Sequence, residues 1–186
     1  MSLDHAILGF LSYAPMTGYD LKKVFDTSVQ HFWPADQAQI YRTLSGLEEE
    51  GWVEMELVHQ DDRPDRKVYH ITAAGRKELR DWLTTPLPPT PIREPELIQV
   101  FFAGQLSDEE ILAMFERMAD RMRKLLARYG EVAEEKTVEF ADAVDSPREA
   151  FFWMLTLECG VSSARAYLAW LESVIQKIKD KEHPSN

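Results

Sequence analysis

The stretch WPADQAQIYRTLSGLEEEGWVEMELVHQDDRPDRKVYHIT, residues 33–72, changes its hydrophobic period once, at Gly51, and that change decides the fold. Before the glycine, Ile40, Leu44 and Leu47 recur at helical spacing and face a core, which leaves Gln39, Tyr41, Arg42 and Ser45 on the far side or its flanks. After it the period is two: Val53, Met55 and Leu57 share one face, Glu54 and Glu56 the other, and Lys67 to Ile71 supply a returning strand. A helix with a polar outer face, a Gly turn and a hairpin, in this order, predict a winged helix-turn-helix.

Upstream, the apolar residues Leu3, Ala6, Ile7, Leu8, Phe10 and Leu11 predict a mostly buried helix that ends before Ala14-Pro15. Thr17 opens a second helix with Asp20 as its capping-box partner. Leu21, Val24 and Phe25 form that helix's core face, with Lys22 and Lys23 outside. Asp36 is the N-cap of the third helix and Gly51 its stop. Glu48, Glu49 and Glu50 oppose the helix dipole, but at the end farthest from a groove entered by the N-terminal half. The loop QDDRPDR, residues 60–66, is too polar for a core, and Thr72 caps a fourth helix carrying Leu79, Trp82 and Leu83.

The proline-rich run TTPLPPTPIREP, residues 84–95, forbids a continuous helix and marks a boundary. The expected organisation is a winged helix over 1–85, a linker over 86–95 and a helical domain over 96–186. In the latter, Leu97 to Phe102 form a short apolar helix, and Ser107 with Glu110 caps a long one. Ile111, Phe115, Met118, Met122, Leu125, Tyr129 and Val132 alternate spacings of four and three, a heptad seam that requires a partner helix. Ser146, Pro147 and Glu149 open a last helix to about Lys179, with Phe152, Leu155, Cys159, Ser162, Ala166, Trp170 and Val174 expected along one face. A helix of about 30 residues is roughly 45 Å long, more than the N-terminal domain can cover. The fold class is therefore mainly α: a winged helix-turn-helix of three helices and a two-stranded wing, followed by a long-helix C-terminal domain that forms a homodimer across a two-fold axis.

The chain has 186 residues, 45% of them hydrophobic, enough for one sizeable domain or two small ones. No apolar run reaches the roughly 18 to 20 residues of a membrane span and the N-terminus lacks a signal-peptide pattern, so a cytoplasmic location without membrane contact is expected. The single cysteine, Cys159, fits a reducing compartment and reads as a small buried hydrophobe. The five histidines show no metal spacing, and there is no GxSxG, P-loop or GxGxxG; an enzyme, a cofactor and a metal are not expected. The net charge of -11 opposes strong non-specific DNA binding. With a Debye length of about 8 Å, however, the local sign at the contact face decides. Lys22, Lys23, Arg42, Arg63, Arg66 and Lys67 can gather there, although Asp61, Asp62 and Asp65 neighbour the last three.

The segments LDHAILGFLSYAPMTGYDL, IYRTLSGLEEEGWV and RPDRKVYHITAAGRKEL resemble, in order and spacing, the PadR family of bacterial transcriptional regulators. The second half is similar to the helical C-terminal domain of the family's longer members, named for virulence activators. The resemblance implies a dimer on a two-fold-related double-stranded DNA operator, often repressing, with some members released by small aromatic or amphipathic effectors. It also implies DNA contact by Tyr41 on the recognition helix and by Arg66 and Lys67 in the wing, before the wing tyrosine, Tyr69. Many members follow the matching tyrosine with Pro, where this chain has Arg42.

The residues support the same assignment: Arg42 suits a guanine edge, Gln39 adenine, Ser45 a phosphate, and the wing cations the DNA backbone. Phe152, Trp153, Tyr167 and Trp170, near the small residues Cys159 to Ala164, read either as close helix packing or as an aromatic-lined effector cavity. The reading from a different class is a winged-helix protein-interaction module that does not bind DNA, which a salt series separates from the regulator.

Overall fold

A computed structural model describes residues 2–59, 65–89, 91–143 and 146–182 of the chain, residues 131–143 by their backbone alone. The chain falls into two compact units, Met1–Thr90 and Pro91–Asn186.

In the first unit, α1 (Ser2–Tyr13), α2 (Gly18–Thr27) and α3 (Gln37–Glu49) enclose one apolar core. Ile7, Leu8, Leu21, Phe25, Ile40 and Leu44 are each fully buried there, with Leu11, Leu47, Val53 and Tyr69 nearly so. At about 1.5–3 kcal/mol for each large aliphatic or aromatic side chain, this burial dominates the unit's stability. Each helix starts where its side chains satisfy the free backbone N–H groups. Thr17 and Asp20 form a reciprocal capping box on α2, and Asp36 and Gln39 form one on α3. Helix α3 stops at Gly51, whose φ of 71° lies in the left-handed region that favours glycine.

The wing is β2 (Val53–Val58) and β3 (Arg66–Ile71), paired antiparallel from Val53↔Ile71 to Val58↔Arg66. The sequence predicts these two strands, but the sheet has a third. β1 (Met16–Thr17) pairs with β3 through Met16↔Tyr69 and Thr17↔Val68, giving the order β1-β3-β2. A two-residue strand has no periodicity of its own, and the pairing partner fixes it. Its consequence is positional: Thr17, which caps α2, is also tied to the wing.

Helix α4 (Ala73–Thr84) is capped by Thr72, whose hydroxyl donates to the carbonyls of Gly51 (2.8 Å) and Trp52 (3.1 Å) and accepts from Gly75 N (3.1 Å). One side chain thus joins the end of α3, the start of β2 and the start of α4. At the other face of α1, the buried His5 stacks on Trp82 of α4 (centroids 4.5 Å apart) with its Nε2 3.2 Å from Glu78 Oε1.

The second unit holds α5 (Pro95–Phe101), a 3-10 turn (Ala103–Gln105), α6 (Asp108–Ala143) and α7 (Pro147–Lys179). Ser107 and Glu110 cap α6 reciprocally, and Ser146 caps α7. Helices α6 and α7 pack antiparallel. Met114, Phe115, Met118 and Ala119 meet Leu171 at one end, and Tyr129 meets Leu157 and Ala164 at the other. Arg123 to Glu172 (2.9 Å) and Lys179 to Glu116 (3.2 Å) flank the seam.

Two expectations change here. The heptad seam of α6 is covered by α7 of the same chain. The face expected for α7 is not the buried one: Leu157, Ala164 and Leu171 turn inward, whereas Phe152, Leu155, Cys159 and Trp170 are exposed. Helix α7 carries apolar residues nearly all round, so periodicity alone could not choose its phase. Among the described residues no helix is long and apolar enough to cross a membrane.

Candidate nucleic-acid interface

Helices α2 and α3 and the wing converge on an open cleft of about 570 Å³, lined by Thr17, Tyr19, Asp20, Tyr41, Asp65, Arg66 and Lys67. Gly18, the first residue of α2, leaves room for the Tyr41 ring beside it. A Cβ there would lie 2.5 Å from Tyr41 Cε1, so the Tyr41 ring rests against the start of α2 and stays 39% exposed. Arg66 reaches across from β3 to Asp20 Oδ2 (3.5 Å). Asp20 also accepts from the Thr17 hydroxyl (2.7 Å) and backbone N–H (3.1 Å). The Thr17 hydroxyl, with the Thr17 N–H, Arg66 and Lys23 behind it, holds the Asp20 carboxyl below its ordinary pKa despite partial burial. Lys67 is exposed and makes no hydrogen bond or ion pair among the described residues.

The structure therefore brings Tyr41, Arg66 and Lys67 together, and adds Tyr19, which the sequence reading passed over. Tyr19 is 67% exposed beside the cap. The available signal was its place off the Leu21–Val24–Phe25 face, next to Thr17.

Arg42 points elsewhere. It is exposed and borders a second cleft of about 510 Å³ together with Asp4, Glu49, Glu50 and Glu78. Arg42 forms no ion pair there among the described residues. Tyr41 and Arg42 are adjacent in sequence but about 100° apart around α3, so one lies toward the wing and the other opposite the core. Gln39 spends its side-chain carbonyl on the backbone N–H of Asp36 (2.8 Å), which leaves its amide N–H₂ for other contacts. Ser45 donates to the Tyr41 carbonyl (3.2 Å). Lys22 is paired with Asp26 one turn on, and Lys23 is exposed. Arg63 lies outside the described residues. Tyr69 is core rather than interface, 5% exposed, and burial first, then Glu48, raises its hydroxyl pKa.

The four aromatic residues named for an effector do not share a cavity within one chain. Tyr167 stacks on Trp170 (5.3 Å), which meets Phe115 edge-on (6.0 Å), and Tyr167 donates to Glu96 (3.3 Å). Phe152 sits with Phe151 (5.4 Å) under Arg148 (5.3 Å), and Trp153 is half-buried beside it. Phe152 and Trp170 are 18 residues apart on α7, about 27 Å along the axis.

A capped helix-turn-helix with a two-stranded wing carrying Arg66 and Lys67, followed by a long-helix unit, is the form of a winged-helix transcriptional regulator. Residues 7–81 match the model of the transcriptional regulator PadR-like family, and residues 92–179 that of the virulence activator alpha C-terminal domain. The "Probable transcriptional regulator Rv1176c" of Mycobacterium tuberculosis is 35% identical over 97% of this chain and all of its own length. The negative transcriptional regulator PadR of Bacillus subtilis is 30% identical over 97% of this chain and 98% of its own. The solved structure of that PadR with operator DNA superposes with a TM-score of 0.82 over 96% of this chain and 99% of its own, at 28% identity. Its structure with p-coumaric acid gives 0.78 over 95% of each chain, also at 28% identity. The Vibrio cholerae virulence activator AphA gives 0.75 at 28% identity over 96% of this chain and 99% of its own. The chain belongs to the PadR-like family of transcriptional regulators.

Proposed function

We propose that this protein binds a two-fold-related DNA operator as a homodimer and represses transcription until a small aromatic or amphipathic ligand acts on its helical unit. The observation that carries the reading is the cleft in which Tyr41 of α3 faces Arg66 and Lys67 of the wing. There the end of a recognition helix and two cations meet one surface, as reading bases while holding phosphates requires. The likeness to a relative captured on operator DNA, over nearly the whole chain, supports it. Repression is favoured by the negative regulator among the relatives, and release by a phenolic ligand by the relative bound to p-coumaric acid. In this mechanism Arg66 exchanges its contact with Asp20 for a phosphate, Lys67 holds the backbone, and Arg42, with the amide N–H₂ of Gln39, reads base edges. The domain assignment, winged helix over 1–85 and helical unit from 96, is part of the proposal.

The test is selection of bound fragments from sheared genomic DNA, with and without a panel of phenolic acids. Enrichment of an inverted repeat, lost with one of the acids, supports the whole reading. Enrichment that no acid changes removes the ligand, and recovery of random fragments removes the operator.

A further inference from the structure

We infer that His59 joins Arg66 and Lys67 as a third phosphate-binding residue of the wing, and that it does so only after taking a proton from solvent. This rests on the operator reading above and adds a residue to that site.

The register of the hairpin puts His59 there. The ladder of β2 and β3 ends at the pair Val58↔Arg66, and His59 and Asp65 stand just beyond it, at the position of the next rung. Directly opposed residues share a face and faces alternate along a strand, so His59 and Asp65 lie on the same face as the preceding pair but one, Leu57↔Lys67. Asp65 lines the cleft together with Arg66 and Lys67, and His59 Nδ1 is 2.9 Å from Asp65 Oδ2. The imidazole is 81% exposed, so one ring nitrogen is spent on the wing while the ring itself stays open to a ligand. The other charges around the pair are Arg66 and Lys67 of β3 and, across the cleft, Asp20 of α2. Asp61, Asp62 and Arg63 lie outside the described residues. His70, the hairpin's other histidine, pairs with Glu56 (3.0 Å) and stands opposite Glu54, on the face away from Lys67.

The contact with Asp65 decides what His59 offers to DNA. An ionised carboxylate only accepts, so Nδ1 carries the hydrogen and donates it. In the neutral ring Nε2 is then a lone pair, which cannot bond a phosphate oxygen. A proton added at Nε2 makes that nitrogen a second donor and the ring a cation, and at the same time offsets the Asp65 charge beside Arg66 and Lys67. A neighbouring phosphate favours the charged ring, so binding and proton uptake support each other. Because the bound state holds the extra proton, operator affinity rises as pH falls.

The test is fluorescence anisotropy of the full chain on an inverted-repeat duplex recovered by the genomic selection above, at fixed ionic strength from pH 8 to pH 6, the range in which histidine ordinarily titrates. The parent's dissociation constant should fall about tenfold across it, and the slope of log K against log salt should be steeper at pH 6 by about one for each chain. His59→Gln should change by less than about threefold over the same range. His59→Lys, charged throughout, should bind more tightly than the parent at pH 8 and lose most of the pH dependence. His70→Gln should keep the parent's pH dependence. His59 is exposed, so far-ultraviolet circular dichroism should be the same for its variants and the parent. A parent whose affinity is indifferent to pH, or a His59→Gln variant that keeps the parent's pH dependence, overturns the proton-dependent contact while leaving operator binding in place. A selection that returns no repeat overturns the operator reading and this contact with it.

Discussion

Arg66 and Arg42 make different predictions because they face different clefts. Arg66 lies over Asp20 at the edge of the wing, so in the proposed complex it contacts phosphate. Arg66→Ala should weaken binding alike for operator and non-operator duplexes and reduce the slope of log K against log salt by about one. Arg42→Ala should instead cost roughly 1–3 kcal/mol on the operator alone and relax preference at one base position. Anisotropy titrations against the operator and single-position variants separate the two, and a uniform loss for Arg42→Ala would make it a backbone contact. Asp20 gives a pH prediction. Its carboxyl is held below its ordinary value in the folded chain by Thr17 and Arg66, so its contribution is full above the unfolded value near 4 and lost as pH falls through the folded one. The stability gap between the parent and Asp20→Asn in urea should thus persist from pH 7 to about 5 and close toward pH 3; a gap independent of pH would show that the carboxylate charge plays no part.

The capping pattern makes the helix starts unusually legible from sequence. Thr17–Asp20, Asp36, Thr72, Ser107–Glu110 and Ser146 all act where their spacing predicts, because a cap is settled within four residues. What was not legible depends on partners far along the chain. β1 exists only through β3, the exposure of Cys159 depends on which side of α7 meets α6, and the divergence of Tyr41 from Arg42 depends on what surrounds α3. Thr72 carries the most connections of any cap, so Thr72→Ala should cost about 1–2 kcal/mol of the first unit's stability in a denaturant melt. A loss under a few tenths would mean that water replaces its three contacts. Gly18→Ala should act on function more than on stability. Its methyl needs the space of the Tyr41 ring, an exposed side chain able to swing away, so the unfolding midpoint should barely move while operator affinity falls several-fold. Equal losses in both would place the effect in the fold of α2.

For the whole molecule, the acidic balance has to be reconciled with a cleft in which Arg66 and Lys67 stand beside Asp20 and Asp65. A net charge of -11 repels a polyanion at low salt, yet beyond a Debye length of about 8 Å it is largely screened, so in the proposed complex Arg66 and Lys67 would act locally. The expected result is selective binding with little non-specific background. In the proposed dimer, two recognition helices on a two-fold axis would meet half-sites about 34–36 Å apart, one turn of B-DNA. Inserting half a turn, about five base pairs, between the half-sites should therefore abolish the two-chain complex. The most direct measurement is fluorescence anisotropy of the protein with the duplex upstream of its own coding region, against a scrambled duplex, across a salt series. Tight binding that saturates at two chains per duplex, weakens steeply with salt and is absent from the scrambled sequence is the predicted result. Equal affinity for both duplexes at every salt concentration, with genomic selection equally indifferent to sequence, would contradict operator recognition by this winged helix.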